Sequence, residues 1–153
     1  MSTLELKIPP PVVAVLLAVA MWSTPHVVAT LPMARSACIV AGIGFAIVGL
    51  AITISGMLAF RRVRTTINPL KPAAASALVV NGVYRFTRNP MYVGLLLVLA
   101  GWATYLGHAL PYLALPLFVG YITEFQIKPE ERVLTAVFGA EFTSYMGRVR
   151  RWA

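Results

Sequence analysis

The sequence contains no aspartate and few charged residues of any kind. Charged residues make up 12% of the 153-residue chain, and apolar residues make up 59%. Soluble domains carry about 25% charged residues. A chain with so little charge cannot cover a core with polar surface in water, so the composition predicts a protein whose solvent is largely lipid.

Cysteine and histidine are also scarce. Cys38 is the single cysteine, and His26 and His108 are far apart in the sequence. One cysteine excludes an intrachain disulfide and a cysteine-rich metal site. We therefore predict no metal site, and we expect Cys38, which lies in an apolar run, to be a small buried hydrophobic residue.

Four apolar stretches dominate the chain. They run from about Pro11 to Leu31, from Ser36 to Phe60, from Met91 to about Gly107 and from Leu110 to about Phe125. A membrane-spanning helix needs about 20 residues, with a range of roughly 17–25, so the last two stretches are near the lower limit. We predict an all-α membrane protein with four transmembrane helices and a single membrane domain, in which the last two helices form a tight hairpin.

The basic residues are distributed unequally between these stretches. Of the 13 lysines and arginines, only Arg35 lies between the first and second stretches. With four spans, all the others share one face of the membrane with both termini. Because basic residues concentrate on the cytoplasmic side, we predict an integral protein of the inner or plasma membrane with cytoplasmic termini. The net charge of +8 then suits an anionic membrane surface, and we expect no nucleic-acid partner.

A fifth helix, amphipathic and cytoplasmic, is predicted over residues 129–146. Pro129 is expected to start it, and Glu130 and Glu131 lie in its first turn, where the helix dipole favours negative charge. Gly139 is expected to bend or break it. The basic tail 148–152, which ends in tryptophan, suits a membrane surface.

The segment Gly82–Gly94 is the most informative part of the chain. It places two arginines, two tyrosines and an Asn-Pro pair at the entrance of the third apolar stretch. These residues could form an interfacial anchor or a functional site. An anchor does not explain Gly94, which would let another group approach the helix backbone closely. Likewise, Glu130 and Glu131 could stabilise a helix start or neutralise a cationic ligand.

Two motifs lie on either side of the predicted hairpin. The first comprises Gly82-Val83-Tyr84 and Arg88-Asn89-Pro90-Met91-Tyr92-Val93-Gly94. The second comprises Glu130-Glu131, Leu134, Phe138-Gly139, Glu141-Phe142 and Tyr145. In order and spacing, they resemble the isoprenylcysteine carboxyl methyltransferase and phospholipid methyltransferase superfamily of integral membrane methyltransferases. The resemblance covers roughly the last 75 residues. It implies a methyltransferase-like core over 61–153, preceded by an N-terminal helical hairpin over 1–60.

The resemblance also implies a cofactor and a set of site residues. The cofactor would be S-adenosylmethionine, held on the cytoplasmic side by Leu78, Val79, Tyr84, Asn89, Pro90, Tyr92 and Glu130. Arg88 and Glu130 would be catalytic. Gln126 would bind the substrate, a lipophilic or small acceptor such as a lipid or a prenylcysteine carboxylate, with lipophilic acceptors entering from the bilayer. Apart from the resemblance, a basic residue, Arg148, Arg85 or Arg88, could bind an anionic acceptor. Positioning and electrostatics can supply much of the catalysis in an in-line methyl transfer, so no metal or covalent enzyme intermediate is needed.

Two positions depart from the family pattern. Asn89 stands where prenylcysteine enzymes often have histidine, and Gln126 stands where they tend to have a substrate-binding arginine. The departures motivate a first alternative, a non-catalytic membrane scaffold of the same fold. A small transport subunit is the second, although the first three apolar stretches carry almost none of the polar mid-span groups that a transport path requires. The sequence does not indicate an oligomeric state.

Overall fold

The computed structural model describes residues 5–24, 30–63 and 76–152, and over these residues the fold is helical. The α-helices are α1 (Pro10–Trp22), α2 (Arg35–Val63), α3 (Pro90–Leu106), α4 (Ala114–Ile122), α5 (Lys128–Phe138) and α6 (Ala140–Arg148). Short 3-10 helices cover Gly82–Arg85 and Leu110–Leu113, and a π-helical segment covers Thr123–Ile127. The all-α prediction is confirmed for the described residues.

Two helical stretches are long and apolar enough to cross a membrane: α2 and the continuous stretch Leu110–Phe138. α1 and α3 are apolar but shorter, with 13 and 17 residues. Most of the large side chains of α2 face outwards, with Val40 72% exposed and Ile47 62% exposed. Such a surface suits lipid, which supports a membrane protein. The count of four spans remains a prediction.

The first apolar stretch forms a shorter helix than the sequence predicts. α1 ends at Trp22, and the hydroxyl of Thr24 donates to the carbonyl of Met21 at 2.5 Å. Pro25 follows, and a residue that precedes proline is disfavoured in helical conformation. Leu31 belongs to a different element, because its N–H donates to the Gly107 carbonyl at 2.9 Å. The predicted helical end at Leu31 is therefore wrong; residues 25–29 lie outside the described part of the chain.

α2 and α3 pack antiparallel through glycines spaced seven residues apart. Gly42 faces Gly101, and Gly49 faces Gly94. A Cβ atom built on Gly49 would lie 2.5 Å from the Gly94 carbonyl oxygen, so the two backbones touch where side chains would normally separate them. A seven-residue spacing keeps both glycines of each helix on one face. The close approach predicted at Gly94 is confirmed.

α5 continues α4 instead of starting at Pro129. Proline has no N–H to donate to the carbonyl four residues earlier, which here belongs to Phe125. That carbonyl accepts a bond of 3.0 Å from the N–H of Leu6 instead. The π-helical turn Thr123–Ile127 lies just before the proline and keeps α4 and α5 continuous. The prediction that Pro129 starts a separate helix is wrong, whereas the predicted break at Gly139 is confirmed, with φ of 54°.

The core and the two ends of the bundle follow from this packing. α1, α3 and α4 enclose the apolar core, which includes Met21, Leu99, Phe118 and Ile122. At one end, the N-terminal segment contacts α5 through an ion pair of 2.7 Å between Glu5 and Arg132. We call this the basic end, because the described lysines and arginines other than Arg35 lie there. Arg64 and Lys71 lie outside the described residues.

Candidate functional site

The entrance of α3 is shaped by Gly82 and Tyr84. Gly82 has φ of 63°, a backbone conformation that glycine adopts without strain, and a short 3-10 helix follows. This turn buries Tyr84, whose ring lies edge-on to Phe60 with 5.4 Å between the ring centroids. Burial raises the pKa of the Tyr84 hydroxyl well above its usual range, and the nearby Glu130 raises it further. Tyr84 therefore remains a neutral phenol beside that carboxylate.

Tyr92 and Glu130 connect the two motifs. The hydroxyl of Tyr92, in the first turn of α3, donates to Oε2 of Glu130 on α5 at 3.1 Å. Gln126 lies one turn before Glu130, is 2% exposed and also hydrogen-bonds the Tyr92 side chain. Residues from opposite sides of the α3–α4 hairpin thus meet at one point, which we call the Tyr92–Glu130 site.

Glu130 is the chemically unusual group of this site. Loss of water raises its pKa from 4.5 to about 7; the Tyr92 hydrogen bond opposes this shift, and the neighbouring Glu131 adds to it. Within the described residues, no basic side chain forms an ion pair with Glu130. A carboxylate that has lost water without gaining a cation is costly and favours a positively charged partner.

Glu131, the next residue, has the opposite environment. Its Oε1 lies 2.9 Å from Arg88 Nη1, and Arg151 Nη2 donates to its Oε2 at 2.7 Å. Arg151 Nε also donates to Oε1 at 3.0 Å, and this bidentate contact is the main cause that raises the pKa of Arg151. Arg88, predicted to be catalytic, is therefore held in an ion pair with Glu131.

The C-terminal strap, defined as residues 150–152, lies across the α3 entrance. The side-chain amide of Asn89 donates to the Arg151 carbonyl at 2.8 Å. The indole N–H of Trp152 donates to Oγ1 of Thr123 at 3.1 Å. These residues therefore pack against the fold, because Glu131 and Thr123 offer them polar partners; the position of the tail at the membrane surface stays a prediction.

The other predicted site residues occupy different positions. Leu78 and the buried Val79 precede the 3-10 helix, and Pro90 is buried at the first position of α3. Arg148 is exposed at the end of α6. Among the described residues, no hydrogen bond or ion pair joins it to the Tyr92–Glu130 site.

Sequence reasoning missed the contributions of Arg151 and Trp152. The strap has no periodicity that would indicate packing, and its composition is typical of an interfacial tail. Tyr145, by contrast, was partly indicated by the sequence, because it is the last residue of the second motif. Its hydroxyl donates to the Tyr84 carbonyl at 2.7 Å. This bond ties α6 to the α3 entrance. Burial raises the pKa of Tyr145 to about 12, so it acts as a neutral donor.

The sequence that carries this site is similar to that of known proteins. Residues 37–141 match the phospholipid methyltransferase family. The chain is also 44% identical over 62 residues to a Haemophilus influenzae protein described only as uncharacterized; the match covers 40% of this chain and 98% of that relative. No solved structure matches the chain.

The family match begins in α2 and ends in α6, so it includes the first motif, the hairpin and the second motif as far as Glu141. It covers well over half of the sequence. The superfamily resemblance carried by the two motifs is thereby confirmed, and membership implies methyltransferase activity in a membrane protein. The chain belongs to the phospholipid methyltransferase family of membrane proteins.

Proposed function

We propose that the protein transfers a methyl group from S-adenosylmethionine to a lipophilic acceptor at the basic end of the bundle. Methyltransferases of this family generally use that donor. The single observation that carries the proposal is Glu130, a desolvated carboxylate with a phenol donor and no ion-paired cation among the described residues. It begins the second of the two motifs that resemble the superfamily, and Tyr92 of the first motif contacts it.

The residues at the site fit the cofactor. S-adenosylmethionine supplies a methyl group on a sulfonium cation, which passes to the lone pair of the acceptor as the carbon–sulfur bond breaks and its electron pair stays on sulfur. Glu130 would stabilise positive charge of the cofactor, and Tyr92 would orient the carboxylate. Tyr84, Leu78, Val79 and Pro90 would form the remaining walls. Such a site acts by positioning and electrostatics, and needs no covalent bond to the protein.

The polar residues around Glu130 would divide the other roles. Gln126 shares the Tyr92 hydroxyl with Glu130, so it lies where a neutral donor could hold the acceptor. Asn89 would act through its backbone, since its side-chain amide donates to the Arg151 carbonyl. Arg88 would act through Glu131, which it helps to fix in place. Arg148 would contact only an acceptor group that extends beyond the bundle.

The acceptor would reach the site from the bilayer. The basic end carries the arginines that would contact an anionic membrane surface, and we place this end on the cytoplasmic side, together with both termini. A lipid, or a prenylated cysteine with its carboxylate, could enter between the helices and present its polar group to Gln126 at the interface.

Cofactor binding tests the proposal directly. In titration calorimetry of detergent-solubilised protein at pH 8, we expect the Glu130→Gln variant to lose at least about 30-fold in affinity, because a buried charge partner has been removed. Glu124→Gln is the matched control, since Glu124 is exposed on the same helical stretch and pairs with Lys128. Wild-type protein that is folded and does not bind the cofactor would refute the proposal.

A non-catalytic scaffold is the second candidate, and the use of the Asn89 side chain in fold stabilisation favours it. Methyl-labelled cofactor, incubated with the protein and a membrane extract of its host, separates the two. An enzyme gives a labelled product that is lost in Glu130→Gln and retained in Glu124→Gln. A scaffold gives no label with any of the three proteins.

A further inference from the structure

A cavity lies at the end of the bundle opposite the Tyr92–Glu130 site. Its volume is about 710 Å³, and it opens beside Arg35 at the first turn of α2. Its walls come from α1, the segment before α2, and the last turns of α3, with Trp22, Trp102 and Tyr105 as the large aromatic side chains. Aromatic residues of this kind are typical of the membrane–water interface.

Arg35 provides the positive charge of this cavity. Its guanidinium lies over the Tyr105 ring, 4.8 Å from the ring centre, and donates to the Tyr105 carbonyl. A guanidinium carries five N–H donors, so one contact of this kind leaves donors available on the cavity side. Among the described residues, no other lysine or arginine lies at this end, and no acidic residue lies there either.

An apolar groove of about 420 Å³ runs between α1 and α2, with α3 as its floor. Its walls carry small side chains where the two helices would otherwise meet, including Ala14 and Ala18 on α1 and Ala46 on α2. Polar atoms are almost absent from its surface. In a bilayer, a groove of this composition is filled by hydrocarbon.

The cavity and the groove adjoin each other at Trp102 and Tyr105, which line both. The two rings are stacked, with 5.4 Å between centroids and 10° between planes. The indole N–H of Trp102 donates to the Ala18 carbonyl at 3.0 Å, so this wall is fixed to α1. A charged, aromatic chamber therefore leads directly into an apolar channel.

We propose that the cavity and the groove together bind one anionic membrane lipid, with its phosphate at Arg35 and one hydrocarbon chain between α1 and α2. The order of polar and apolar surfaces matches the order of headgroup and chain in such a lipid. The single positive charge selects an anionic headgroup. The bound chain would fill the space that separates α1 from α2, and so would hold α1 in place.

This lipid site is distinct from the site of methyl transfer. Tyr105 and Tyr92 are 13 residues apart on one helix, which corresponds to roughly 20 Å along its axis. The inference stands on Arg35 and the groove, and it does not depend on the proposed activity.

Native mass spectrometry of the full chain in detergent tests the proposal, with palmitoyl-oleoyl phosphatidylglycerol and the matching phosphatidylcholine added in equal amounts. We expect the wild-type protein to retain one phosphatidylglycerol in preference to phosphatidylcholine by about fivefold, the effect of one arginine on an anionic lipid. Arg35→Gln should abolish the preference, and Arg35→Lys should keep most of it because the charge remains. Arg62→Gln is the matched control at the other end of α2. Arg62 lines neither the cavity nor the groove, so this variant should retain the one bound phosphatidylglycerol as the wild type does.

Filling the groove gives an independent readout. Ala46→Leu and Ala46→Phe should reduce retention of both lipids in a graded manner, without changing the circular dichroism of the detergent-solubilised protein. Equal retention of the two lipids by the wild type would overturn the proposal, as would an Arg62→Gln effect equal to that of Arg35→Gln. Displacement of phosphatidylglycerol by millimolar glycerol phosphate would also overturn it, since the headgroup alone would then account for binding.

Discussion

The α2–α3 contact and the basic end of the bundle are stabilised by opposite means. Between α2 and α3, glycine faces glycine, and the close approach of the two backbones leaves no room for a side chain. At the basic end, the contacts are hydrogen bonds and ion pairs that bring together residues distant in sequence, such as Arg151 and Glu131. One region depends on shape and the other on charge.

The two regions therefore have different roles: the α2–α3 contact supports the fold, and the basic end carries the groups that could act on a ligand. The α2–α3 contact has no group that could act on a ligand, but it fixes the position of α3 and hence of Tyr92 in its first turn. The basic end provides the groups that could act, and the carboxylates of Glu5, Glu124 and Glu131 are each paired there with a basic side chain. Glu130 has lost water without such an ion pair among the described residues, and its neighbour Glu131 shows how a carboxylate at this end is normally satisfied.

The largest effect is expected where the two backbones touch. Gly49→Leu would place a side chain against the Gly94 carbonyl, which cannot move without shifting α3. We expect a loss of more than about 3 kcal/mol in unfolding free energy, at the upper end of overpacking effects. Thermal unfolding in detergent, followed by circular dichroism, measures it. Gly44→Leu is the control, because a Cβ atom at Gly44 meets nothing within 4 Å; equal losses in the two variants would contradict the shape argument.

Much of this architecture could be predicted from the sequence, because lipid imposes simple rules. Long apolar runs predicted helices, and Gly94 predicted that some group would approach its backbone closely, which proves to be α2. The lengths were less predictable: α1 stops at Trp22 because Thr24 and Pro25 end it, although the apolar run continues. At Pro129 the error was the opposite one: the sequence predicted a helix start, whereas the helix is continuous there. The π-helical turn and the N–H of Leu6 compensate for the missing donor of the proline.

The site was predictable as far as its motifs extended. The motifs indicated Tyr92 and Glu130, which the structure brings into contact. The resemblance gave a role to Glu130 and none to Glu131, but the local sequence did not show that Glu131 would be ion-paired, because its pairing depends on Arg151 and no local pattern shows where a terminal arginine will fold back. The roles given to Leu78 and Val79 rest on the resemblance alone, the role given to Arg148 rests on its charge, and all three stay predictions.

The next largest effect is expected at Glu131. Glu131→Gln would leave Arg88, whose side chain is 12% exposed, without its ionic partner. Removal of one member of a buried pair costs about 3 kcal/mol or somewhat more. The same unfolding measurement tests this, with Glu141→Gln on the exposed surface of α6 as control. If Glu131→Gln and Glu141→Gln unfold at the same temperature, the charge-based account of the basic end is wrong.

A smaller effect is expected from pH. The pKa of Glu130 is raised in the folded protein to about 7, so its stabilising contribution is complete below the unfolded value near 4.5 and is lost as pH rises through 7. The groups facing it are Tyr92, Tyr84, Gln126 and Glu131. We therefore expect the cofactor-free protein to lose stability between pH 5 and pH 8, and Glu130→Gln to lose less over the same range.

Cofactor affinity should change in the opposite direction across that range. A bound cation favours the charged carboxylate, so binding below pH 7 must release a proton, and affinity should rise from pH 5 to pH 8. Calorimetry in two buffers of different ionisation enthalpy measures the proton release. Affinity that is independent of pH in the wild type would show that Glu130 does not face the cation.

The smallest effect is expected at the tip of the strap. Trp152→Phe keeps most of the ring but removes the donor to Thr123, a change worth about 1 kcal/mol. The backbone N–H of Arg88 donates to the Arg150 carbonyl at 3.0 Å. A loosened strap should therefore raise hydrogen exchange at the backbone amide of Arg88. Trp22→Phe, at a residue 67% exposed in α1, is the control. Exchange that rises equally in the amides around Gly49 would mean that the two regions unfold together, and that shape and charge are not separate sources of stability.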